Sequence, residues 1–265
     1  MSVASPAQPN RIGATPLHEH KTAIVTGAAQ GIGAAVARQL VADGALVWAV
    51  DIDGDAGRAL AAIAPDRIRF VNADVTDSSA LSAVVAEAVR DSGRVDILVT
   101  SASMDAGHDA VEMSPQTWDA VMGLNVKSVW LAAREVLPTM TAAGHGAIVN
   151  IGSLHGRMTV EGAFPYGVSK AGVEAMGRSL ALDYGPAGIR VNTVIPGWTR
   201  SERVEQHFER IGPDEVARID ATHALRRTAS PAEVADAVSF IASDRASFVT
   251  GATWIVDGGL GARFA

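Results

Sequence analysis

The sequence predicts an α/β protein with a single Rossmann-type domain, built on a doubly wound, seven-stranded parallel sheet with helices on both faces. Three observations predict this fold. Short apolar runs alternate with helical segments along nearly the whole chain of 265 residues. The runs are apolar throughout, as parallel strands are when helices cover both faces of their sheet. No linker-like stretch interrupts the alternation, so we expect one domain.

In the first half of the chain, each strand is followed by a helix. A β-branched run at residues 21–26 predicts the first strand; the glycine-rich stretch GAAQGIG and an alanine-rich helix to Asp43 follow it. Further strands are predicted at residues 45–50, 67–72 and 95–100, with helices at 55–64 and 78–92 between them. The predicted helix at residues 78–92 carries one apolar stripe at helical spacing, formed by Leu81, Val84, Val85, Ala88 and Val89.

The second half continues the same pattern, with a helical region at residues 114–140, a strand at 147–151, a helix at 166–184 and a strand at 190–195. A variable loop with helices fills residues 196–243, and residues 253–256 give the seventh strand. Residues 1–20 are polar, contain three prolines and lack the apolar core of a signal peptide. We therefore expect a loose extension at 1–20, a catalytic domain at 21–265, and a cytoplasmic protein.

Composition argues against several classes of function. The net charge of −7 disfavours nucleic-acid binding, and the absence of cysteine excludes disulfides and thiolate chemistry. No apolar run is long enough for a membrane span. The seven histidines are scattered without the spacing of a metal site on a helix. The sequence around Ser153 is Gly-Ser-Leu-His, which differs from the G-x-S-x-G turn of a serine hydrolase.

The glycine-rich stretch at residues 27–33 lies where the first strand turns into a helix. Gly27, Gly31 and Gly33 there would let the backbone approach a pyrophosphate, and a helix N terminus supplies free N–H groups. A glycine triplet alone could also form an ordinary tight turn. Asp51, about twenty residues further on, favours the nucleotide interpretation because an acid at the end of the second strand accepts hydrogen bonds from ribose hydroxyls.

The same carboxylate of Asp51 would repel a 2′-phosphate, and no basic residue flanks it in the stretch DIDGD. We therefore predict NAD as the cofactor, with NADP disfavoured. Asp53 is interpreted as a solvated turn residue. Asp74, at the end of the third strand, has two open interpretations: a helix-capping acid, or a contact to the edge of the adenine.

Three side chains of residues 150–170 point to proton chemistry: the hydroxyl of Ser153, the phenol of Tyr166 and the amine of Lys170. Tyr166 and Lys170 are four residues apart and share one face of the predicted helix. Each residue alone also has an ordinary interpretation, as a turn residue, a core aromatic or a solvated lysine. Their combination carries more weight than any one of them.

These motifs together resemble the short-chain dehydrogenase/reductase family over about residues 21–259. The resemblance includes TGxxxGxG, Asp51, Asp74-Val75, Asn125, Ser153, Tyr166-x-x-x-Lys170, Pro196-Gly197, and the closing Thr250-Gly251 and Val256-Asp257-Gly258-Gly259. It implies a catalytic set of Asn125, Ser153, Tyr166 and Lys170. The cofactor residues that we predict are Gly27, Gln30, Gly31, Ile32, Gly33, Asp51, Ile52, Asp74, Val75, Ala102, Tyr166, Lys170, Pro196, Gly197 and Thr199.

The resemblance also implies a role for each member of the catalytic set. Tyr166 is the acid/base for hydride transfer at a secondary alcohol, and Ser153 holds the substrate oxygen. Lys170 bonds the nicotinamide ribose, and Asn125 sits at a helix irregularity and holds a water. Tyrosine has a free pKa of about 10. A lysine roughly 4–5 Å away, worth on the order of 3–4 kcal/mol, together with the oxidised nicotinamide is expected to lower this pKa towards neutrality.

One motif departs from the family pattern. The fourth strand of the family usually ends in Asn-Asn-Ala-Gly, whereas residues 100–103 of this chain read Thr-Ser-Ala-Ser. Ser101 is too short to brace the neighbouring strands as the family's second Asn does. Ser103 adds a side chain near the expected position of the nicotinamide ribose. The departure therefore leaves the fold intact but bears on how the cofactor is held.

For substrate contacts we predict Ser153, His155, Tyr166 and Trp198, with residues 199–222 as a mobile flap. His155 and Glu161 suggest a sugar or polyol as substrate of an NAD-linked dehydrogenase. The alternatives are a 3-oxoacyl-thioester (acyl carrier protein) reductase using NADPH, and a nucleotide-binding scaffold without activity. The family commonly forms homotetramers, and the tail GLGARFA suits packing against another subunit. We expect no metal, nucleic-acid or membrane partner.

Overall fold

A computed structural model describes residues 16–105 and 107–262 of the chain. Seven parallel strands form one sheet in the order β3-β2-β1-β4-β6-β8-β9, and β5 pairs with β7 in a separate two-stranded sheet. The strands are β1 (Thr22–Thr26), β2 (Leu46–Asp51), β3 (Ile68–Asn72), β4 (Ile97–Thr100), β5 (Gly107–His108), β6 (Gly146–Ile151), β7 (Phe164–Pro165), β8 (Ile189–Pro196) and β9 (Thr253–Val256). The predicted fold class is confirmed.

Helices cover both faces of the large sheet. They are α1 (Gly31–Ala42), α2 (Gly54–Ile63), α3 (Ser78–Ser92), α4 (Pro115–Met122), α5 (Ser128–Ala143), α6 (Tyr166–Tyr184), α7 (Glu202–Ile211), α8 (Pro213–Thr222) and α9 (Pro231–Ala242). One apolar core lies between the sheet and α1, α2 and α9, and a second lies between the sheet and α3, α5 and α6. Alanines on α1 let this helix pack closely on its neighbours; they include the buried Ala34, Ala35 and Ala37.

The predicted elements form with small shifts in their ends. α3, α6 and β9 have the predicted bounds, whereas β4 begins at Ile97 and not at residue 95. Just before this strand, the carboxylate of Asp96 accepts a hydrogen bond from the backbone N–H of Thr22 at 2.8 Å, and the N–H of Asp96 donates to Thr22 O at 2.8 Å. Asp96 is therefore bonded to the start of β1 by both its side chain and its backbone.

The small antiparallel sheet of β5 and β7 was not predicted. It pairs Gly107 with Pro165 and His108 with Phe164, residues more than fifty positions apart. Two-residue strands have no periodicity that a sequence pattern can reveal. The pairing matters for the site because β7 leads directly into α6 and so fixes the start of this helix at Tyr166.

The end of the predicted N-terminal extension belongs to the folded domain. His18 is 1% exposed, and its Nε2 lies 3.0 Å from the hydroxyl of Ser239 on α9. Ser239 in turn donates to the carboxylate of Asp43 at 2.6 Å. This network ties residues 16–20 to the domain, in contrast to the loose tail that we expected there. Residues 1–15 lie outside the described residues, as do Arg263, Phe264 and Ala265 of the predicted subunit contact.

Candidate active site

The structure brings Ser153, Tyr166 and Lys170 together at the carboxyl edge of the large sheet. Ser153 follows β6 in an extended conformation and begins a short 3-10 turn, accepting a hydrogen bond from the N–H of His155 at 3.3 Å. The hydroxyl of Ser153 interacts with the phenol of Tyr166 and lowers the pKa of that phenol. Tyr166 is the first residue of α6, so strand and helix each contribute one hydroxyl to the pair.

Lys170 lies one helical turn after Tyr166 and is 3% exposed. Its Nζ donates a hydrogen bond to the carbonyl of Ile151 at 3.0 Å and lies 5.6 Å from the centroid of the Tyr166 ring. Burial lowers the pKa of Lys170 from 10.5 to about 8, and the charge of Arg203 acts in the same direction. The ammonium is therefore held next to the phenol by a strand carbonyl, at a cost in desolvation.

The protein's own groups shift the pKa of Tyr166 in opposite directions. Burial raises the pKa of this phenol above 10, while the hydrogen bond from Ser153 and the charge of Arg203 lower it and Asp105 raises it. Among the protein's own groups, burial disfavours the phenolate by more than the neighbouring groups favour it. The lowering of this pKa by Lys170 together with an oxidised nicotinamide stays a prediction.

Asn125 lies at a helix irregularity, as expected, in a π-helical segment at Gly123–Lys127 between α4 and α5. Its side chain is 1% exposed and is fully engaged with protein. Its oxygen accepts from Met104 N and its nitrogen donates to Met104 O, both at 2.8 Å, and to Ser169 Oγ at 3.0 Å. Ser169 donates to the carbonyl of Tyr166 at 2.7 Å, so Asn125 braces the first turn of α6.

The glycine-rich stretch forms the predicted turn between β1 and α1. A Cβ on Gly27 would lie 2.5 Å from Ala102 N, and one on Gly33 would lie 1.9 Å from the carbonyl of Gly27. Both distances are far below a normal contact, so side chains are excluded at these two positions. Gly31 has a φ of +56°, in the left-handed region that glycine favours. Glycine at these positions therefore lets the turn pack tightly on itself and on the backbone of residues 101–102.

Asp51 joins this turn to the end of β2. Its carboxylate accepts from Ala29 N at 2.9 Å and from Asp53 N at 3.0 Å. A carboxylate has about four lone-pair positions, so acceptor capacity remains for ribose hydroxyls. Asp53 caps α2 by accepting from Ala56 N at 3.0 Å, which agrees with its interpretation as a turn residue.

Asp74 does not cap the helix that follows it. Its carboxylate accepts from the N–H and the hydroxyl of Thr76, both at 2.8 Å, whereas Asp77 caps α3. The capping interpretation of Asp74 is therefore wrong for α3, although the residue does order the turn before it. Contact with the adenine stays a prediction, and the neighbouring Val75 is buried in the core.

The departure from Asn-Asn-Ala-Gly has a structural counterpart. The hydroxyl of Thr100 donates to the side-chain oxygen of Asn150 at 2.8 Å, directly across the pairing of β4 with β6. Ser101 contributes its backbone, donating from N to the Thr26 hydroxyl at 3.2 Å. The strands are thus braced by Thr100, one residue before the family's usual position. The amide nitrogen of Asn150 is buried without a hydrogen-bond partner among the described residues.

The remaining predicted residues line the same edge of the sheet or end there. Pro196 closes β8, a Cβ on Gly197 would lie 2.9 Å from Asp257, and the Thr199 hydroxyl donates to Gly197 O at 3.1 Å. Gln30 and Ile52 are exposed near the glycine turn, the latter by 73%, and Ile32 is partly buried. The contacts that these residues make with a cofactor stay predictions.

His155 and Trp198, predicted substrate contacts, have different surroundings. The ring of His155 is edge-on to Tyr166 with centroids 5.6 Å apart, and its Nδ1 lies 3.0 Å from the Thr159 hydroxyl. Trp198 stacks on His207 of α7 with centroids 5.9 Å apart and an interplanar angle of 13°. His155 therefore lies next to the phenol, whereas Trp198 anchors α7.

Two charged residues of the site were missed by sequence reasoning. Glu202, the first residue of α7, accepts a hydrogen bond from the backbone N–H of Gly31 at 2.7 Å. Arg203 follows it, and its charge reaches both Tyr166 and Lys170. The sequence indicated only a charged amphipathic flap at residues 199–222, and no spacing within it distinguishes these two residues from the other charges.

The tight glycine turn, the N terminus of α1 and the acceptor at Asp51 fit a dinucleotide. Within residues 16–105 and 107–262, no group of three or more His, Asp or Glu residues is arranged to hold a metal ion. In the same ranges no helix combines the length and the hydropathy that crossing a membrane requires. Fold and site together define a dinucleotide-dependent oxidoreductase.

Comparisons with known proteins identify the family. A family model described as "Enoyl-(Acyl carrier protein) reductase" matches residues 27–261. The chain is 40% identical to a cis-4-hydroxycyclohexanecarboxylate dehydrogenase of Sinomonas cyclohexanicum, over 90% of this chain and 96% of that protein. It is 35% identical to a 3-alpha-(or 20-beta)-hydroxysteroid dehydrogenase of Mycobacterium bovis, over 90% of this chain and 88% of that protein.

A solved structure titled "Crystal structure of gox2181" superposes with a TM-score of 0.87 at 31% identity, covering 94% of this chain and 99% of that chain. The chain belongs to the short-chain dehydrogenase/reductase family. It is an oxidoreductase acting on hydroxyl groups or the corresponding ketones, and dehydrogenases of this family use NAD(P)(H).

Proposed function

We propose that this protein is an NAD-dependent dehydrogenase of a secondary alcohol, with Tyr166 as its acid/base. The observation that carries the proposal is the cluster of Ser153, Tyr166 and Lys170 beside the glycine turn. The Ser153 hydroxyl interacts there with the Tyr166 phenol and lowers its pKa, and the buried ammonium of Lys170 lies 5.6 Å from the phenol ring. Such an arrangement can take a proton from an alcohol and return it to solvent.

A bound nicotinamide would supply the hydride acceptor for oxidation of the carbon that bears the hydroxyl. In this mechanism the phenolate of Tyr166 removes the hydroxyl proton, and Ser153 donates a hydrogen bond to the same oxygen. The positive charge of Lys170 stabilises the phenolate. Burial opposes ionisation of Tyr166, so cations near the ring have a large influence on its protonation state.

The preference for NAD follows from Asp51. Its carboxylate is oriented by two backbone N–H groups, from Ala29 and Asp53, and therefore has a fixed position at the end of β2. A 2′-phosphate placed there would meet a negative charge, whereas ribose hydroxyls would donate to it. NADH is therefore expected to bind more tightly than NADPH.

For the substrate we propose a secondary alcohol on a carbocyclic skeleton. The names of both relatives specify hydroxyl groups on such skeletons. In this chain, exposed apolar side chains follow Ser153 in the sequence: Met158 is 47% exposed and Val160 is 67% exposed. A sugar or polyol, which His155 and Glu161 suggested from the sequence, would leave these apolar groups without complementary surface.

A second candidate is a thioester reductase that uses NADPH. The description of the matching family model favours it, because that description names an acyl carrier protein as substrate carrier. Asp51 opposes it, because a carboxylate at this position disfavours a 2′-phosphate. Preference for NADPH with turnover of a 3-oxoacyl thioester would decide for the second candidate.

The test combines binding and turnover. Affinities for NADH and NADPH are measured by fluorescence titration, and a panel of cyclic alcohols, polyols and 3-oxoacyl thioesters is assayed with both cofactors. Tyr166→Phe is expected to reduce turnover by about 10²–10⁴-fold while changing the Kd of NADH by less than about twofold. Turnover retained in this variant would contradict the role of Tyr166. NADH binding without turnover of any substrate would favour a nucleotide-binding scaffold.

We also propose that the chain assembles with copies of itself, as a tetramer. Large apolar side chains are exposed on the outer faces of α5 and α6, where Trp130 is 44% and Leu182 is 80% exposed. Others lie around β9, an edge strand, where Phe248 is 102% and Ile255 is 45% exposed. Light scattering of the purified protein should give four times the mass of one chain, and Leu182→Glu should lower it.

A further inference from the structure

We propose that Glu202 is an internal competitor of the cofactor, because its carboxylate takes the backbone donor of Gly31 that a dinucleotide phosphate would otherwise use. The first turn of α7 and the pyrophosphate would then exclude each other at this donor. The inference rests on the proposed function, because it needs a dinucleotide that binds at the glycine turn.

The contact that carries this inference is short and involves an ionised acceptor. Gly31 N donates to Glu202 Oε2 at 2.7 Å, between residues 171 positions apart in the chain. Gly31 is the first residue of α1, so its N–H has no partner within the helix. The helix dipole favours a negative charge at the same place. A carboxylate and a phosphate are therefore equivalent ligands for this donor.

No residue near the start of α1 provides an acceptor for the N–H of Gly31. The N-cap residue Gln30 makes no capping hydrogen bond with its side chain, and the first turn of α1 contains no acidic residue. Ser201 also approaches, since a Cβ on Gly31 would lie 3.2 Å from the Cβ of Ser201. Ser201 thus packs directly on the glycine turn, and the next residue, Glu202, places its carboxylate at the N–H of Gly31.

Arg203 extends the competition to the other half of the site. This side chain is exposed and forms no ion pair with any residue in the described ranges, yet its charge lowers the pKa of both Tyr166 and Lys170. The start of α7 therefore brings an anion to the glycine turn and a cation towards the catalytic residues. An oxidised dinucleotide has the same order of charges, from pyrophosphate to nicotinamide.

The rest of α7 is held by contacts that do not involve the glycine turn. Trp198 packs on Phe208, whose ring lies 5.1 Å from the guanidinium of Arg200, and Arg200 pairs with Glu205 at 3.2 Å and Asp220 at 3.6 Å. Release of Glu202 therefore needs movement only in the first turn. Cofactor binding and the position of this turn are coupled as a result.

The experiment compares two ligands on four proteins. ADP-ribose contains the pyrophosphate, whereas adenosine occupies the same nucleoside position without it; both affinities are measured by calorimetry. The proteins are the wild type, Glu202→Gln, Glu202→Asp and the control Glu209→Gln. Glu209 lies on the same helix, is exposed and forms no ion pair among the described residues. Glu202→Gln keeps the reach but loses the charge, and Glu202→Asp keeps the charge but loses the reach.

If Glu202 competes for the donor, Glu202→Gln tightens ADP-ribose binding by about five- to tenfold, because a neutral acceptor holds the N–H less strongly. Glu202→Asp tightens it by about twofold or more, since the shorter side chain no longer reaches Gly31. Adenosine affinity and the Glu209→Gln control stay at the wild-type value. Amide exchange in residues 202–205 of the wild type increases when ADP-ribose is added.

An affinity for ADP-ribose in Glu202→Asp equal to that of the wild type would overturn the inference, because only the field of the charge would then matter. An equal gain for adenosine would overturn it as well. Absence of ADP-ribose binding in all four proteins is a different result, which contradicts the proposed function itself and the inference with it.

Discussion

The two halves of the site are constructed differently. The chemical half consists of Asn125, Ser153, Tyr166 and Lys170. Lys170 donates to the carbonyl of Ile151, and Asn125 donates to Ser169, which donates to the carbonyl of Tyr166. The nucleotide half consists of residues 27–33 and Asp51, and one of its donors is held by Glu202 from a distant segment. α7 reaches both halves in different ways: Glu202 hydrogen-bonds directly to the nucleotide half, whereas Arg203 acts on the chemical half through its charge.

This difference shows which properties of the site depend on rigid elements. Ser153 and Tyr166 follow β6 and begin α6, and the amide of Asn125 fixes the turn of α6 that carries Tyr166. Geometry for proton transfer has to be accurate to a fraction of an ångström, which such elements provide. Binding of a long, flexible dinucleotide needs exchangeable contacts instead, and Glu202 at Gly31 is one of these.

After Tyr166→Phe, the largest effect on turnover is expected in the chemical half, for Ser153→Ala. This change removes the hydroxyl that is bonded to Tyr166 and proposed to hold the substrate oxygen. We expect kcat to fall by about 10²–10³-fold, the usual loss when a donor to a developing negative charge is removed. Steady-state kinetics measures this, with NADH affinity as a second measurement.

The same variant separates the two halves. The affinity for NADH should remain within about twofold of the wild type, because Ser153 contributes nothing to the nucleotide half. Ser179→Ala is a matched control, since the Ser179 hydroxyl donates only to Ala175 O on the exposed side of α6. A large loss of NADH affinity in Ser153→Ala would show that the halves are not independent.

A smaller effect is expected in the nucleotide half, for Asp51→Asn. Asparagine retains an acceptor for one of the two N–H groups that bind Asp51, but it loses the charge that repels a 2′-phosphate. The ratio of the NADPH and NADH dissociation constants should therefore fall by about ten- to a hundredfold, as for loss of one charge–charge contact. Fluorescence titration with both cofactors gives this ratio.

Asp53→Asn is the control for this prediction, because Asp53 lies two residues away and caps α2. It should leave the ratio of the two dissociation constants unchanged, since Asn is also a good N-cap residue. If Asp53→Asn changes the cofactor preference as much as Asp51→Asn does, the assignment of specificity to Asp51 is wrong.

Most of the fold could be predicted from the sequence, because its signals are local. Apolar runs locate each strand of the large sheet, and the stripe on α3 predicts that helix with its observed bounds. The pairing of β5 with β7 could not be predicted, because two-residue strands far apart in the chain leave no pattern. The burial of His18 could not be predicted either. Its ring contacts Ser239, which lies more than two hundred residues further along the chain and is itself bonded to Asp43.

For the site, motifs predicted which residues meet but not their energetics. Ser153, Tyr166 and Lys170 lie together as expected, whereas the raised pKa of Tyr166 depends on burial that no motif encodes. The bracing of β4 and β6 illustrates the same limit. The departure at residues 100–103 was visible in the sequence, but its replacement by the Thr100–Asn150 hydrogen bond required the register of two strands.

The smallest effect concerns the stability of the chemical half. This half contains Lys170, which is 3% exposed. Burial lowers the pKa of Lys170 from 10.5 to about 8. A change of this size corresponds to roughly 3 kcal/mol of unfavourable free energy when the lysine is charged. Lys170→Met removes this cost but leaves the carbonyl of Ile151 without its donor. We therefore expect a net stabilisation of about 1–2 kcal/mol at pH 7, measured by urea denaturation.

The pH dependence tests the cause of this stabilisation. Between pH 8 and 10.5 the unfolded chain still binds the proton that the folded chain has released, so Lys170 makes the wild type more stable as pH rises through this window. The advantage of Lys170→Met should therefore be largest below pH 8 and should shrink towards pH 10.5. Lys127→Met is the control, because Lys127 is exposed and has no buried charge to remove.

An advantage of Lys170→Met that does not change with pH would mean that methionine packing, and not the buried charge, stabilises the variant. A destabilised variant would mean that the hydrogen bond to Ile151 outweighs the desolvation of the ammonium, and that the chemical half is assembled at no cost in stability.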